Sequence, residues 1–363
     1  MGRPLVLEPR EKITSLRLTS CERNEMDARA EALGFKSLSD YLRHLHKAAV
    51  ATEKNKETNI ELEKYGTLLE SHSTALGKIY QGNSLAYMHS HAGQNSVDLI
   101  LTSPPFGLVR KKSYGNEDAD AYCDWFRPFA EGFKRVLKDD GSLVIDVGGA
   151  WKSGTPTRSL YHFKLLIMLC EEYGFHLAQE HYWWNPSKLP SPAEWVNVRR
   201  VRVKDAINCV WWLSKTPFPR ANNKRILSPY SDSMRTLLKN GYKAKMRPSG
   251  HDISSNFSVD NGGSVPPNLL AIANTESNGA YQDYCRENNI EIHPARFPAL
   301  LPEYFIRFLT NPGDMVLDPF GGSCITGMVA EALARKWACV ELSSEYIRGG
   351  IGRFQGNVEQ AVS

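Results

Sequence analysis

From about residue 67 onward, short apolar runs alternate with amphipathic helical stretches, and few folds accommodate that order. "VDLILTS", "GSLVIDVGG", "AINCVWWLS", "MVLDPFGG" and "WACVELS" read as strands. "FRPFAEGFKRVLK", "YHFKLLIMLCEEYG", "LPEYFIRFLT" and "ITGMVAEALAR" read as the helices between them. The alternation predicts an α/β domain, a mostly parallel sheet covered by helices on both faces. Ligands of doubly wound sheets bind beyond the carboxyl ends of the strands, so the residues just past each strand are the informative ones.

Two strand ends stand out. The first is "LILTSPPF", Leu99 to Phe106, where a buried strand runs into a serine, two prolines and a ring. Pro104 and Pro105 freeze the backbone after Ser103 and remove two N–H donors, while the carbonyls stay free and rigidly aimed. Ser103 Oγ and the Pro104 carbonyl thus form a pair of acceptors with Phe106 as a stacking wall, which suits a planar ligand carrying an exocyclic amino group. A proline-stiffened cap on a strand is the plainer alternative. The second end is "DPFGGSCITG", residues 318–327, where glycines between strand and helix let the backbone approach a ligand at a helix N-terminus. The next strand ends in Glu341, placed to accept from both hydroxyls of a ribose. A tight turn followed by a surface glutamate is the alternative there. The turn lacks the G-x-G-x-x-G fingerprint and no Walker lysine follows, which argues against NAD and ATP.

Composition narrows the class. No run approaches the ~20 apolar residues of a membrane helix, and the amino terminus lacks the apolar core of a secretory signal. The 7 cysteines are scattered without a C-x-x-C pair, which argues against a disulfide framework and a zinc site and fits a reducing cytoplasm. A net charge of +4 is only mildly basic, so its distribution matters more than its sum. Residues 1–50 read as a small module, "ITSLRLT" as a strand and then two helices, one ending at Gly34 and one beginning near Ser37. Residues 51–66 are polar and read as a linker or exposed helix; residues 214–290 are rich in Pro, Asn, Ser and Gly and break the β/α rhythm.

"TSPPF" together with "DPFGGS" resembles the amino-group DNA methyltransferases, and the Ser-Pro-Pro-Phe version resembles those that modify cytosine N4. Catalytic motif first and cofactor motif last is the permuted order of their beta group. "RKKSYGN", "WWNPSKLPSPAEWVN", "RPSGHDI", "NGGSVPPNLL" and "HPARFPALLPEYFIR" are similar to the PvuII-type branch, and the likeness runs from about Gly77 to Arg353. The resemblance implies a Rossmann-like, circularly permuted fold with a seven-stranded mixed sheet. It divides the chain at 67–213 (catalytic half), 214–290 (target recognition) and 291–363 (cofactor half). It further implies S-adenosyl-L-methionine as methyl donor and a base flipped out of duplex DNA.

Carried over residue by residue, Ser103 and Pro104 would accept from N4, with Pro105 stiffening the loop and Phe106 stacking on the base. Asp146 would orient the Ser103 hydroxyl or help remove the N4 proton; as a strand-end acid it can equally cap a turn. Asp318, Pro319, Phe320, Gly321, Gly322 and Ser323 would line the methionine and ribose region, with Glu341 on the ribose and Phe297 and Pro298 against the methionine end. Asn83 stands where relatives often carry Asp, so its contact with the adenine edge is open.

Residues 196–225 concentrate basic side chains, among them Arg199, Arg200, Arg202 and Lys215, as a phosphate-binding surface would. Lys111 and Lys112 follow the catalytic loop and are candidates to clamp the backbone, and Arg247 and His251 are candidates to read bases. The N-terminal module resembles a ribbon-helix-helix unit, either a DNA reader or a dimerisation arm, and so implies a homodimer. A separately acting restriction endonuclease is a further expected partner, and the cytoplasm, around the nucleoid, the expected location. A cytosine-C5 enzyme is a poor fit, since its nucleophilic cysteine commonly follows proline and no Pro-Cys pair is present. An adenine-N6 methyltransferase and a non-catalytic DNA-binding regulator are the rival readings.

Overall fold

The computed structural model describes residues 19–47, 64–107, 118–241, 259–275 and 279–355. The chain divides into two compact units, residues 1–60 and 61–363. In the first, α1 (Ser20–Ala32) opens with a capping box: Thr19 Oγ1 accepts from the Glu22 amide at 3.3 Å and Glu22 Oε2 accepts from the Thr19 amide at 2.8 Å. A turn at Gly34 leads to α2 (38–47), where Ser37 Oγ accepts from the Asp40 amide at 3.1 Å. The expected strand "ITSLRLT" lies outside the described residues apart from its last position.

The second unit is a single sheet with helices packed on it. Its elements run β1 (Leu69–Ser73), β2 (Gly77–Gln81), α3 (Ser84–Ala86), β3 (Val97–Thr102), α4 (Tyr122–Val136), β4 (Leu137–Val147) and α5 (Tyr161–Glu171). They continue as β5 (His176–Trp184), β6 (Ile207–Ser214), α6 (Asp232–Asn240), β7 (Leu269–Ala271), α7 (Ala280–Glu287), α8 (Leu300–Leu309), β8 (Met315–Asp318), α9 (Ile325–Ala332), β9 (Lys336–Glu341) and α10 (Ser344–Ile351). Among the described residues the sheet has 9 strands in the order β1-β2-β9-β8-β3-β4-β6-β5-β7, not the seven expected. Its outermost members carry little pattern: β1 is the mostly exposed "LESHS" and β7 has 3 residues. Among the described strands, only β1 and β6 run against the rest.

Side-chain alternation along β3 feeds two cores. Ile100 faces Tyr122, Phe126, Phe133 and Leu165 of α4 and α5. Leu99 and Leu101 face the other way, toward Phe305 and Ile306 of α8 and Val329 of α9. All six residues of β3 are buried, so the strand is central and its end is held from both sides. The chain leaves β3 toward β4 and leaves β8 toward β9, although β3 and β8 are paired neighbours. The direction of winding reverses between them, which opens a crevice at their carboxyl ends.

Candidate active site

That crevice is a cavity of about 550 Å³. One wall is Ser103, Pro104, Pro105 and Phe106; the other is Asp318 through Ser323 with Glu341, and Asn83 and Phe297 lie at its margins. Two sequence motifs more than 200 residues apart meet there because β3 and β8 are adjacent. A direct bond crosses the switch point, Thr102 Oγ1 donating to Asp318 Oδ1 at 2.7 Å.

At the β3 end the geometry is that of a directed acceptor. Ser103 Oγ donates to Asp146 Oδ2 at 3.1 Å. An ionised carboxylate only accepts, so the single serine proton is committed inward and the Oγ lone pairs remain for a ligand. Asn208 on β6 donates Nδ2 to the other Asp146 oxygen at 3.1 Å. Burial pushes the Asp146 carboxyl up to about 6, against the pull of these two donors and of the Lys188 charge. Behind the loop, Phe106 lies on Gly148, where a Cβ would stand 2.5 Å from the ring, so only glycine leaves the ring its place. The Tyr161 hydroxyl donates to the Gly148 carbonyl and fixes that floor.

At the β8 end the backbone is the ligand-facing part. Gly322 has φ +50°, and a Cβ there would meet His293 Nε2 at 3.1 Å. Its N–H donates to Glu341 Oε2 at 2.8 Å, and the Ser343 N–H donates to Oε1 at 2.9 Å. Burial raises the Glu341 carboxyl, and these backbone donors oppose the rise. The Leu342 amide is a third backbone donor to this carboxylate, which retains accepting capacity for a ligand hydroxyl. Phe320 packs on Phe129 and Trp125, with ring centroids 5.0 and 5.8 Å apart, and completes an aromatic wall.

Asp318 has a second task besides lining the cavity. Both of its oxygens are bonded within the frame: Thr102 and the Phe320 amide donate to Oδ1, and Thr326 donates to Oδ2 at 2.7 Å. Its carboxyl, also pushed to about 6 by burial, ties β3, the cradle and α9 together. Pro298 is buried below the cavity wall, where its carbonyl accepts from the Leu301 amide at the start of α8. Asn83 Oδ1 caps α3 through the Leu85 amide at 2.9 Å, which leaves its amide nitrogen for a ligand edge.

The basic stretch is also less available than its composition implies. Lys215 Nζ donates to the Leu137 carbonyl at 2.9 Å and to Asn95, and pairs with Asp139 at 3.2 Å. Arg202 grips Asp205 through both carboxylate oxygens, at 2.9 and 3.1 Å. Arg199 is exposed although paired with Glu194, and Arg200 is exposed. Lys111, Lys112, Arg247 and His251 lie outside the described residues. Asn208 and Lys188 were missed by the sequence reading, and no local signal marks them. Asn208 reaches Asp146 only because β6 lies antiparallel beside β4, with Val210 opposite Asp146.

A directed serine acceptor and a glycine cradle border one cavity at the switch point of this sheet, and the fold is that of an α/β methyltransferase. The family model for DNA methylases of the N6/N4 class matches residues 97–351. The type II methyltransferase M.PvuII of Proteus hauseri is 52% identical over 290 residues, 79% of this chain and 86% of the relative. The DNA adenine methyltransferase YhdJ of Escherichia coli (strain K12) is 28% identical over 281 residues, 76% of this chain and 82% of the relative. The solved structure of the PvuII DNA methyltransferase, cytosine-N4-specific, aligns with TM-score 0.65 and 44% identity over 82% of this chain and 93% of that one. The chain belongs to the N6/N4 DNA methylase family.

Proposed function

We propose that the protein transfers a methyl group from S-adenosyl-L-methionine to the exocyclic N4 of a cytosine in duplex DNA. The observation that carries this is the Ser103–Asp146 bond, which turns the serine lone pairs toward the same cavity that the Gly321–Gly322 cradle and Glu341 border. The cradle, the Glu341 carboxylate and the aromatic wall fit a ligand with a ribose and a flat base. When bound there, the cofactor supplies an electrophilic methyl group on a sulfonium.

The chain's own residues prepare the amino group. Ser103 Oγ and the Pro104 carbonyl each accept one N4–H, which draws the nitrogen lone pair out of conjugation with the ring and leaves it pointing into the cavity. Phe106 holds the base face-on, and Pro105 keeps the loop from adapting to other geometries. Asp146, through Ser103, is the sink for the proton that N4 must lose; a carboxyl near 6 is ionised at neutral pH and basic enough to take it in transit. The target base must leave the duplex to enter such a cavity, since N4 is otherwise paired.

Cytosine is favoured by the Ser103/Phe106 pair and by the N4 specificity of the relative aligned at 44% identity. Adenine N6 is the second reading, because the same acceptor pair would hold it and an adenine methyltransferase is among the relatives. Nucleoside mass spectrometry of unmethylated DNA incubated with protein and cofactor separates them. N4-methylcytosine is expected, and N6-methyladenine would transfer the mechanism to the other base.

In this reading Arg199 and Arg200, with Lys111, Lys112, Arg247 and His251, serve the DNA backbone and bases. Residues 1–50 act as a DNA-binding or pairing module that makes the enzyme a homodimer. A restriction endonuclease acting separately is the expected companion, with the cytoplasm as the place of action; among the described residues, no helix is long and apolar enough to cross a membrane.

A further inference from the structure

The string "WNPSKLPSPAEWVNVRRVRVKDA" joins β5 to β6 and is not accounted for by the catalytic residues. Strand directions place it: β5 runs with β3 and β8, so its carboxyl end opens on the same edge of the sheet as the cavity. The loop is ordered by its own bonds. Asn185 N donates to the Ala206 carbonyl at 2.9 Å and Asp205 N to the Ser191 carbonyl at 3.0 Å. Val201 N donates to the Trp195 carbonyl at 2.9 Å, and Lys204 Nζ to the Lys188 carbonyl at 3.0 Å. Asp205 holds Arg158 at 3.2 Å and Arg202 at 2.9 Å across the base of the loop.

This ordered knot presents apolar side chains to solvent. Leu189 is 80% exposed, and Val198, Val201 and Val203 are exposed as well. They are interleaved with basic residues: the segment 185–206 has 5 Lys and Arg against 2 acids. Leu189 is distinguished by its neighbours. Trp183, near the end of β5, lies opposite Asn208, the donor to Asp146, and Lys188 beyond it is half-buried, so the chain leaves β5 toward Leu189 beside that carboxylate. Pro190 follows and keeps Leu189 in extended backbone, so the side chain is displayed on a stiff support.

We infer that Leu189 is the wedge that enters the DNA stack and occupies the space vacated by the flipped base. Exposed apolar surface beside a positively charged rim fits a duplex whose stack has been opened: the branched side chain replaces lost stacking while Arg199 and Arg200 meet phosphates. The inference rests on the base-flipping reading above and adds to it the residue that holds the duplex open.

The test uses the full-length protein after its methylated site has been mapped by sequencing. Two duplexes carry that site, one with the target base paired and one with it opposite an abasic position, where opening costs little. Leu189→Ala should lower kcat/KM on the paired duplex by about tenfold or more and on the abasic one by under about threefold, because only the first needs the wedge. A second readout is independent of turnover. With 2-aminopurine at the target position, wild type should raise fluorescence on binding, Leu189→Ala should give a weaker rise, and Leu189→Met should recover most of it. Phe218→Ala is the control, since Phe218 is 83% exposed but follows β6 at the opposite edge of the sheet. Equal losses on both duplexes, or an unchanged fluorescence rise in Leu189→Ala, would overturn the wedge. A wild-type product of N6-methyladenine would overturn the choice of base alone, and the same pair of duplexes built around that adenine would still decide the role of Leu189.

Discussion

Asp146 and Asp318 sit at the ends of β4 and β8, the two strands that flank β3, and burial pushes both to about 6. Each receives two side-chain donors. Asp146 takes Ser103 and Asn208, and the serine in turn borders the cavity. Asp318 takes Thr102 and Thr326, and the Phe320 amide completes its set. One carboxylate therefore acts outward through a hydroxyl, and the other is closed into the frame. Residue type, burial and proton affinity do not distinguish the two acids here; the partners of the donors do.

The largest effect expected from breaking this contrast is on turnover. Asp146→Ala should cost about 10²–10⁴ in kcat while cofactor affinity by calorimetry stays near wild type. A parallel loss of cofactor binding would erase the distinction. Asp318→Ala should do the reverse. It strands two hydroxyls and an amide in the interior, so urea unfolding should show a loss of about 2–4 kcal/mol, and the cradle should bind cofactor less tightly. Stability should also depend on pH in a way that reports on both acids. Between roughly pH 4 and 6 the folded chain holds protons on them that the unfolded chain has released. Their contribution is thus present in full below about pH 4 and fades as pH rises through 6. Asp146→Asn should flatten that decline, as seen in unfolding curves at about pH 5 and 7.5.

Smaller changes sharpen the comparison. Asn208→Asp replaces a donor with a second carboxylate, so the acidic limb of the rate profile should move upward by about one pH unit. Activity lost evenly at every pH would instead make Asn208 a packing residue. Thr326→Ala removes one donor from the sealed acid and should cost about 1 kcal/mol with the acidic limb unmoved.

The contrast also marks what could be read before folding. Ser103, the prolines, Phe106 and the glycine turn were legible because each breaks a local rule right after an apolar strand, where a doubly wound sheet puts its ligands. The partners were not. Asn208 lies in an unremarkable strand, and its meeting with Asp146 depends on antiparallel register. Lys188 meets its charges only through a long loop. Lys215 and Arg202 looked like phosphate ligands because a count of charges cannot see Asp139 or Asp205 beside them. Asp318 was legible as a cavity residue because position relative to a strand end is visible in sequence, while its hydrogen-bond partners were not. The strand count fell short because β1 and β7 pair by backbone, with too few apolar side chains to announce themselves.

The Thr102–Asp318 bond joins residues 216 positions apart, and this has a consequence during synthesis. At ribosomal rates of about 5–20 residues per second, β3 leaves the tunnel on the order of 10–40 s before the strand that will lie beside it. Throughout that interval the fully buried strand β3 has an unpaired edge, and the Ser103–Phe106 loop has no glycine cradle beside it. The enzyme cannot act before it is nearly complete, and a chaperone that shields this edge until β8 arrives would raise the yield of active protein.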